Sequence, residues 1–341
     1  MGILDIDLDN MTVTTERVKD RNVWVIDNFY RYPNAVASLF NDETTFDPAV
    51  NVSFYPGNRI DLRTKVSKNE SEQHLKQLQQ ILLDNGLDKS KIIITIPPEM
   101  VLSVFDENEA KKKWIALDEF NGLVVGKNDN RDDARSISLS NSVSPLAGNA
   151  HVDSRPNERQ LNSLACTCYL SKQSHGGTGL YYNKQLQTYC TSWEFYKNDL
   201  VKLIEKCDKA SSDEEKIKTI ISHRNERIKA DMPSRSVGMA SAGNEYWELL
   251  HFFPMKFNRM VIYDADLYHS ISIDDFEFWR KNKRITSNYF IPIYWQDENG
   301  QNICPTHYSF DLMQRFYEST ISSILSLKHS LQKFRKKFMS K

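Results

Sequence analysis

The stretch GNAHVDSRP, residues 148–156, sets His151 and Asp153 two positions apart, between a glycine-containing turn and an Arg-Pro step. A β-strand repeats every two residues, so side chains at i and i+2 leave from one face. An imidazole and a carboxylate placed this way are either a surface pair or part of a metal site. Nonhaem iron centres that activate oxygen hold Fe(II) with two histidines and one carboxylate, and keep the opposite face open. His151 and Asp153 would supply two such ligands, and a second histidine must come from a distant strand. Among the eight histidines, His269 ends the strand-like run RMVIYDADLYH and precedes the alternating SISI. His251, in LLHFFP, is its rival. His223 sits in a charged stretch and reads as solvated.

A second group of residues follows His269 by one hairpin. In RITSNYFI, residues 284–291, Arg284, Thr286, Asn288 and Phe290 share one strand face, and Ile285, Ser287, Tyr289 and Ile291 share the other. A guanidinium fork beside a hydroxyl suits the distal carboxylate of 2-oxoglutarate, through bidentate, charge-assisted hydrogen bonds. Arg280 and Lys283 are neighbouring alternatives. Strand parity favours Arg284, which aligns with Thr286.

The elements that must position these residues are mostly strands. NVWVIDNFY (22–30) is β-branched and aromatic, and YPNAVASLF brings a proline to a helix start. NVSFYPGNRIDLRT reads as irregular around Pro56-Gly57. SEQHLKQLQQILLDN (71–85) spaces Leu75, Leu78 and Leu82 as a helix does, with Ser71 as its cap and Gly86 as its stop. KIIITIPPEMVLSVFD and KWIALDEFNGLVVGK are strand-rich. From RSISLSNS to SNYFIPIYW, short strands recur with turns between them, the pattern of an antiparallel sandwich or jelly roll. Residues 191–233 interrupt it as a charged helical insertion that could serve as a lid. The chain ends in an amphipathic helix with a basic end, whose lysines suit the C-terminal dipole. The resulting organisation is an N-terminal α/β supporting region (1–135), a core (136–297) and a C-terminal helix (298–341), together one compact domain.

Bulk properties narrow the function classes. The 341-residue chain is 40% hydrophobic with a net charge of −1, enough for a sizeable core and without the excess of positive charge that nucleic acid attracts. It has no apolar run long enough for a transmembrane helix, and its N-terminal stretch does not read as a secretory signal. The five cysteines are odd in number, and Cys166 and Cys168 lie in an apolar run. They read as small core residues in a reducing, cytoplasmic setting rather than as a disulfide framework.

Taken together, His151-x-Asp153, a distal His269 and Arg284-x-Thr286 resemble the Fe(II)/2-oxoglutarate-dependent dioxygenase superfamily. LACTCYLSKQSHGGTGLYY is similar to the prolyl-hydroxylase-like branch, in which a strand ending in Tyr-Leu and a Gly-Gly hairpin follows the His-x-Asp strand. The likeness spans roughly residues 22–31 and 140–295, with the helical insertion as a departure. It implies an α+β protein with a double-stranded β-helix (jelly-roll) core and flanking helices. It implies Fe(II) on His151, Asp153 and His269, and 2-oxoglutarate held by Arg284 and Tyr169 with Thr286 beside them, used with O2. Halogenating relatives lack the carboxylate that Asp153 provides, so hydroxylation is favoured. The substrate would be an amino acid, a small metabolite or a peptide side chain. Arg155 and Arg159 are candidates to meet an acidic group, and Tyr181, Tyr182, Trp193 and Tyr196 to line an entrance, with core packing the plainer reading of the aromatics. Two other readings stand beside it: a jelly-roll oxygenase that needs no 2-oxoglutarate, and a non-catalytic protein that keeps the fold.

Overall fold

The computed structural model describes residues 2–40, 57–88, 91–93, 99–105, 150, 162–191, 193–212, 215–216, 218–219, 222–223, 243–272, 282–296 and 302–303. These residues form mostly antiparallel β-structure with few helices. The strands are β1 (Thr12–Val18), β2 (Arg21–Asp27), β3 (Gly57–Asp61), β4 (Lys91–Ile93), β5 (Glu99–Phe105) and β6 (Asn162–Tyr169). They continue as β7 (Gly177–Asn183), β8 (Trp247–Pro254), β9 (Arg259–Asp264), β10 (His269–Ser272), β11 (Arg284–Gln296) and β12 (Asn302–Ile303). The helices are α1 (Pro33–Ser38), α2 (Lys68–Asp84) and α3 (Trp193–Asp208). No helix among the described residues is long and apolar enough to cross a membrane.

Two sheets result. The larger runs β1-β2-β9-β6-β11-β5-β3, with β4 and β12 also paired to β11, and the smaller runs β10-β7-β8. From β6 onward the chain passes large, small, small, large, small, large, so consecutive strands repeatedly change sheets. The N-terminal strands extend this same large sheet, because β2 pairs with β9 and β5 with β11.

Period-2 alternation gives the large sheet two buried faces. One packs on α2: Leu75, Leu78, Ile81 and Leu82 meet Ile60, Leu102, Cys166, Cys168, Tyr289 and Ile291. The other meets the small sheet through Val23, Val25, Ala165, Tyr169, Val261 and Tyr263 against Leu180 and Phe253. Cys166, Cys168, Cys190 and Cys207 are buried and form no disulfide, in keeping with core thiols.

Three details depart from the sequence reading. Helix α2 begins earlier than expected: Ser67 is its cap, accepting from the Glu70 N–H at 3.2 Å, while Ser71 is buried inside the first turns. The Glu70 carboxylate accepts from the Leu4 N–H at 3.0 Å, which ties the N-terminal segment to this helix end. Gly86 does stop the helix, with φ +94. The second departure is β3, which lies in the stretch expected to be irregular. Its pairing with β5 supplies backbone partners that no local pattern announces. Third, His223 is not simply solvated: its Nε2 lies 3.2 Å from the Asp199 carboxylate on α3, with the ring 14% exposed. The segment between β7 and β8 is helical as expected, in α3 and at 215–216, 218–219 and 222–223. The proposed C-terminal helix lies outside the described residues.

Candidate functional site

Strand β11 lies between β6 and β5, and Thr286 stands opposite Tyr169 on one side and Ser103 on the other. Because side chains alternate, Ser287, Tyr289 and Ile291 point toward α2, and Arg284, Thr286 and Asn288 point the other way. Lys283 places its ammonium 4.9 Å from the centre of the Phe40 ring. Phe40 packs against the α2-side core, so parity selects Arg284 over Lys283.

Arg284 is 3% exposed. Its Nη2 donates to the Gly177 carbonyl at 3.5 Å, a long contact, and its Nε has no hydrogen-bond partner among the described residues. Its carbon Cζ sits 5.6 Å from the centre of the Tyr169 ring, within reach of a cation–π attraction. No carboxylate pairs with it among the described residues. Burying a guanidinium without a counter-charge is costly, so an anionic ligand would stabilise this arrangement. Glycine is required at 177 by the approach of β8, since a Cβ there would lie 2.1 Å from the Phe253 carbonyl oxygen.

Tyr169 is fully buried, and its hydroxyl is 2.7 Å from Thr178 Oγ1 on β7. Burial raises its pKa, the nearby Arg284 charge opposes that, and the phenol remains a neutral hydrogen-bonding group. Thr286 accepts from Asn288 Nδ2 at 3.1 Å. Asn288 also donates to Ser103 Oγ at 2.9 Å and accepts from Thr167 Oγ1 at 3.1 Å. Parity placed Asn288 on the face of Arg284 and Thr286, and the structure joins it to Thr286. Thr167, Ser103 and Thr178 had no signal, because their neighbours are set by pairing across strands.

His269 opens β10, is 5% exposed and pairs with Leu180. Its Nδ1 is 2.9 Å from the Leu267 carbonyl, which can only accept, so Nδ1 carries the proton and Nε2 is the nitrogen able to ligate a metal. Its ring centre is 4.9 Å from that of Tyr263. His251 pairs with the same Leu180 from the other side, on β8. Its Nε2 lies 2.9 Å from the Glu16 carboxylate on β1, and the side chain is 36% exposed. That engagement toward β1 leaves His269 as the better-placed imidazole.

The structure therefore brings together Arg284, Tyr169 and Thr286 on adjacent strands. It sets His269 on the small-sheet face that also carries Thr178, since Ile271 pairs with Thr178 two residues further along. His151, Asp153, Arg155, Arg159 and Arg280 lie outside the described residues. Ala150, which precedes His151, is buried in one cluster with Tyr181, Trp247 and Tyr268, and Tyr268 precedes His269. This cluster accounts for Tyr181 as packing rather than an entrance residue. Among the described residues no three His, Cys, Asp or Glu side chains form a metal-holding group.

Residues 205–291 match the model of a protein family of unknown function, DUF6445. That stretch includes His269, Arg284 and Thr286. No curated protein matches the chain.

Proposed function

We propose that this protein is an Fe(II)- and 2-oxoglutarate-dependent oxygenase that hydroxylates an amino acid, a small metabolite or a peptide side chain. The observation that carries the reading is Arg284, a buried guanidinium with one long hydrogen bond and no counter-charge among the described residues. A dicarboxylate cosubstrate supplies what that group lacks. Tyr169 and Thr286 offer hydroxyls beside it, and Thr178 orients the Tyr169 phenol.

The strand order supports a double-stranded β-helix core. β5, β11, β6 and β9 are neighbours in one sheet, β10, β7 and β8 in the other, and the chain crosses between them. β10 is an edge of the small sheet among the described residues. Ala150 and Tyr268, the chain neighbours of His151 and His269, share a buried cluster, which supports the two histidines serving one site.

In this reading His151, Asp153 and His269 would hold the metal, and the Leu267 carbonyl fixes the His269 tautomer. Arg284 binds and orients the distal carboxylate, and the Tyr169 hydroxyl donates to it or to Thr178. The apolar inner face around Val261, Tyr263 and Leu180 excludes water from one side. Fe(II), with 2-oxoglutarate and O2, supplies the oxidation. The buried thiols support a reducing, cytoplasmic compartment.

The test is anaerobic titration of Fe(II) and then 2-oxoglutarate, followed by the metal-to-ligand absorption band, with succinate measured in air. Both should bind, and alanine at His151, Asp153 or His269 should each abolish full iron occupancy. Iron without any 2-oxoglutarate binding hands the case to an oxygenase that needs no keto acid. Full iron occupancy in His269→Ala moves the ligand assignment to His251.

A further inference from the structure

We propose that Arg21 is a positioning residue for His269, an ion-pair clamp on the turn that presents the imidazole. The inference rests on reading His269 as a metal ligand. Arg21 opens β2, and its Nη1 lies 2.9 Å from Asp264 and its Nη2 3.5 Å from Asp266. Asp264 ends β9 and Asp266 lies in the four-residue connection (265–268) from β9 to His269; both are nearly buried, at 6% and 4% exposed. Two like charges two residues apart, removed from water, need a shared cation to remain in place. Arg21 provides it. Burial works against its charge, but Asp266 and Asp264 outweigh that and hold the guanidinium firmly ionised.

The clamp leads directly to the histidine. The Leu267 N–H donates to the Asp264 carbonyl at 3.0 Å, and the Leu267 carbonyl accepts from His269 Nδ1 at 2.9 Å. The Thr191 N–H donates to the Asp266 carbonyl at 2.8 Å, and the Tyr268 N–H to the Tyr189 carbonyl at 3.0 Å. The carboxylates of Asp264 and Asp266 thus fix a backbone whose next carbonyl sets the ring orientation. The opposite end of the β2–β9 pair offers an internal control. There Asp27 pairs with Arg259 at 2.7 Å and Lys256 at 2.8 Å, far along both strands from His269.

The experiment uses the full chain and Co(II) alone as probe, under anaerobic conditions, reading both affinity and the d–d absorption that reports ligand geometry. Arg21→Met should weaken Co(II) binding roughly 10- to 100-fold and alter the absorption, as loss of an outer partner of a ligand does. Arg21→Lys, which keeps the charge without the planar fork, should recover part of the affinity. Asp27→Asn should lower thermal stability and leave Co(II) binding unchanged. Should Arg21→Met not fold, Arg21→Lys and Asp266→Asn carry the same test, and each should weaken binding. Unchanged affinity and absorption in the Arg21 variants would overturn the clamp while leaving the metal reading intact. A wild-type protein that takes up no Co(II) overturns the metal reading itself, and the clamp with it.

Discussion

On the face of β11 that meets α2, Ser287 and Tyr289 are buried in a closed network: the Tyr30 hydroxyl bonds to Ser287 at 2.8 Å and also to Tyr289. Beside them His74 is 2% exposed, stacked on Tyr30 and edge-on to Phe29 and Tyr289, with Nδ1 2.7 Å from the Leu4 carbonyl. On the opposite face Arg284 is about as buried, and among the described residues its guanidinium has one hydrogen bond, a long one to the Gly177 carbonyl. One face therefore pairs its hydroxyls and His74 Nδ1 with neutral partners, leaving only His74 Nε2 without one among the described residues, and the other buries a guanidinium that no described carboxylate balances. Neutral, paired groups stabilise a fold. A buried charge with no balancing partner is costly, and under the proposed function a ligand carboxylate would offset that cost. The difference is what the proposed function predicts for a scaffold face and a ligand face of one strand.

The sharpest way to break this comparison is Arg284→Met. If Arg284 exists for a ligand, 2-oxoglutarate affinity should fall by about 2–5 kcal/mol. The unliganded protein should be as stable as wild type or more so, since an unbalanced charge has been replaced by an apolar chain of similar volume. Urea unfolding of the apo protein, run beside the 2-oxoglutarate titration, reads both. A strongly destabilised variant with unchanged affinity would put Arg284 with the scaffold.

The His74 face predicts a pH dependence of the opposite character. Burial lowers the His74 pKa from 6.5 to about 4, only partly opposed by the Leu4 carbonyl and Asp5. The folded state therefore binds the His74 proton less readily than the unfolded chain does. Stability is fully present above 6.5 and is lost as pH falls from 6.5 through about 4, by on the order of 3 kcal/mol. Urea unfolding at several pH values checks it: His74→Phe should flatten the slope between pH 6.5 and 4. An equal slope in both proteins would assign the acid sensitivity elsewhere.

The smallest effect belongs to the tyrosine pair. Tyr289→Phe removes one hydroxyl from a network in which Ser287 still bonds Tyr30, so it should cost about 1 kcal/mol of stability. It should leave 2-oxoglutarate affinity unchanged, because Tyr289 lies on the face away from Arg284. A loss of affinity with little loss of stability would mean that the two faces are coupled through β11.

Local pattern made much of this legible. Alternation in RITSNYFI placed Arg284 and Thr286 on one face and Tyr289 on the other, because the pleat leaves no alternative. Pro33 marked the start of α1, and Gly86, with its positive φ, the end of α2. The strand-rich run from β6 to β11 and the helical segment between β7 and β8 were also readable from hydrophobic period. The choice of Ser67 over Ser71 as cap was not, since both are serines ahead of the same periodic face. The Leu4–Glu70 contact that accompanies it spans 66 residues.

By itself, then, the sequence determined which side chains share a face, where helices stop, and which residue types could serve chemistry. Tertiary structure alone decided which faces meet. It drew His251 to Glu16, held His269 on the Leu267 carbonyl, gathered Thr178 to Tyr169 and Asn288 to Ser103, and set Arg21 between Asp264 and Asp266. Asp264 and Arg21 are 243 residues apart. The physical reason is that strand periodicity is a local property of φ and ψ, whereas pairing partners and buried ion pairs depend on loops closing over hundreds of residues.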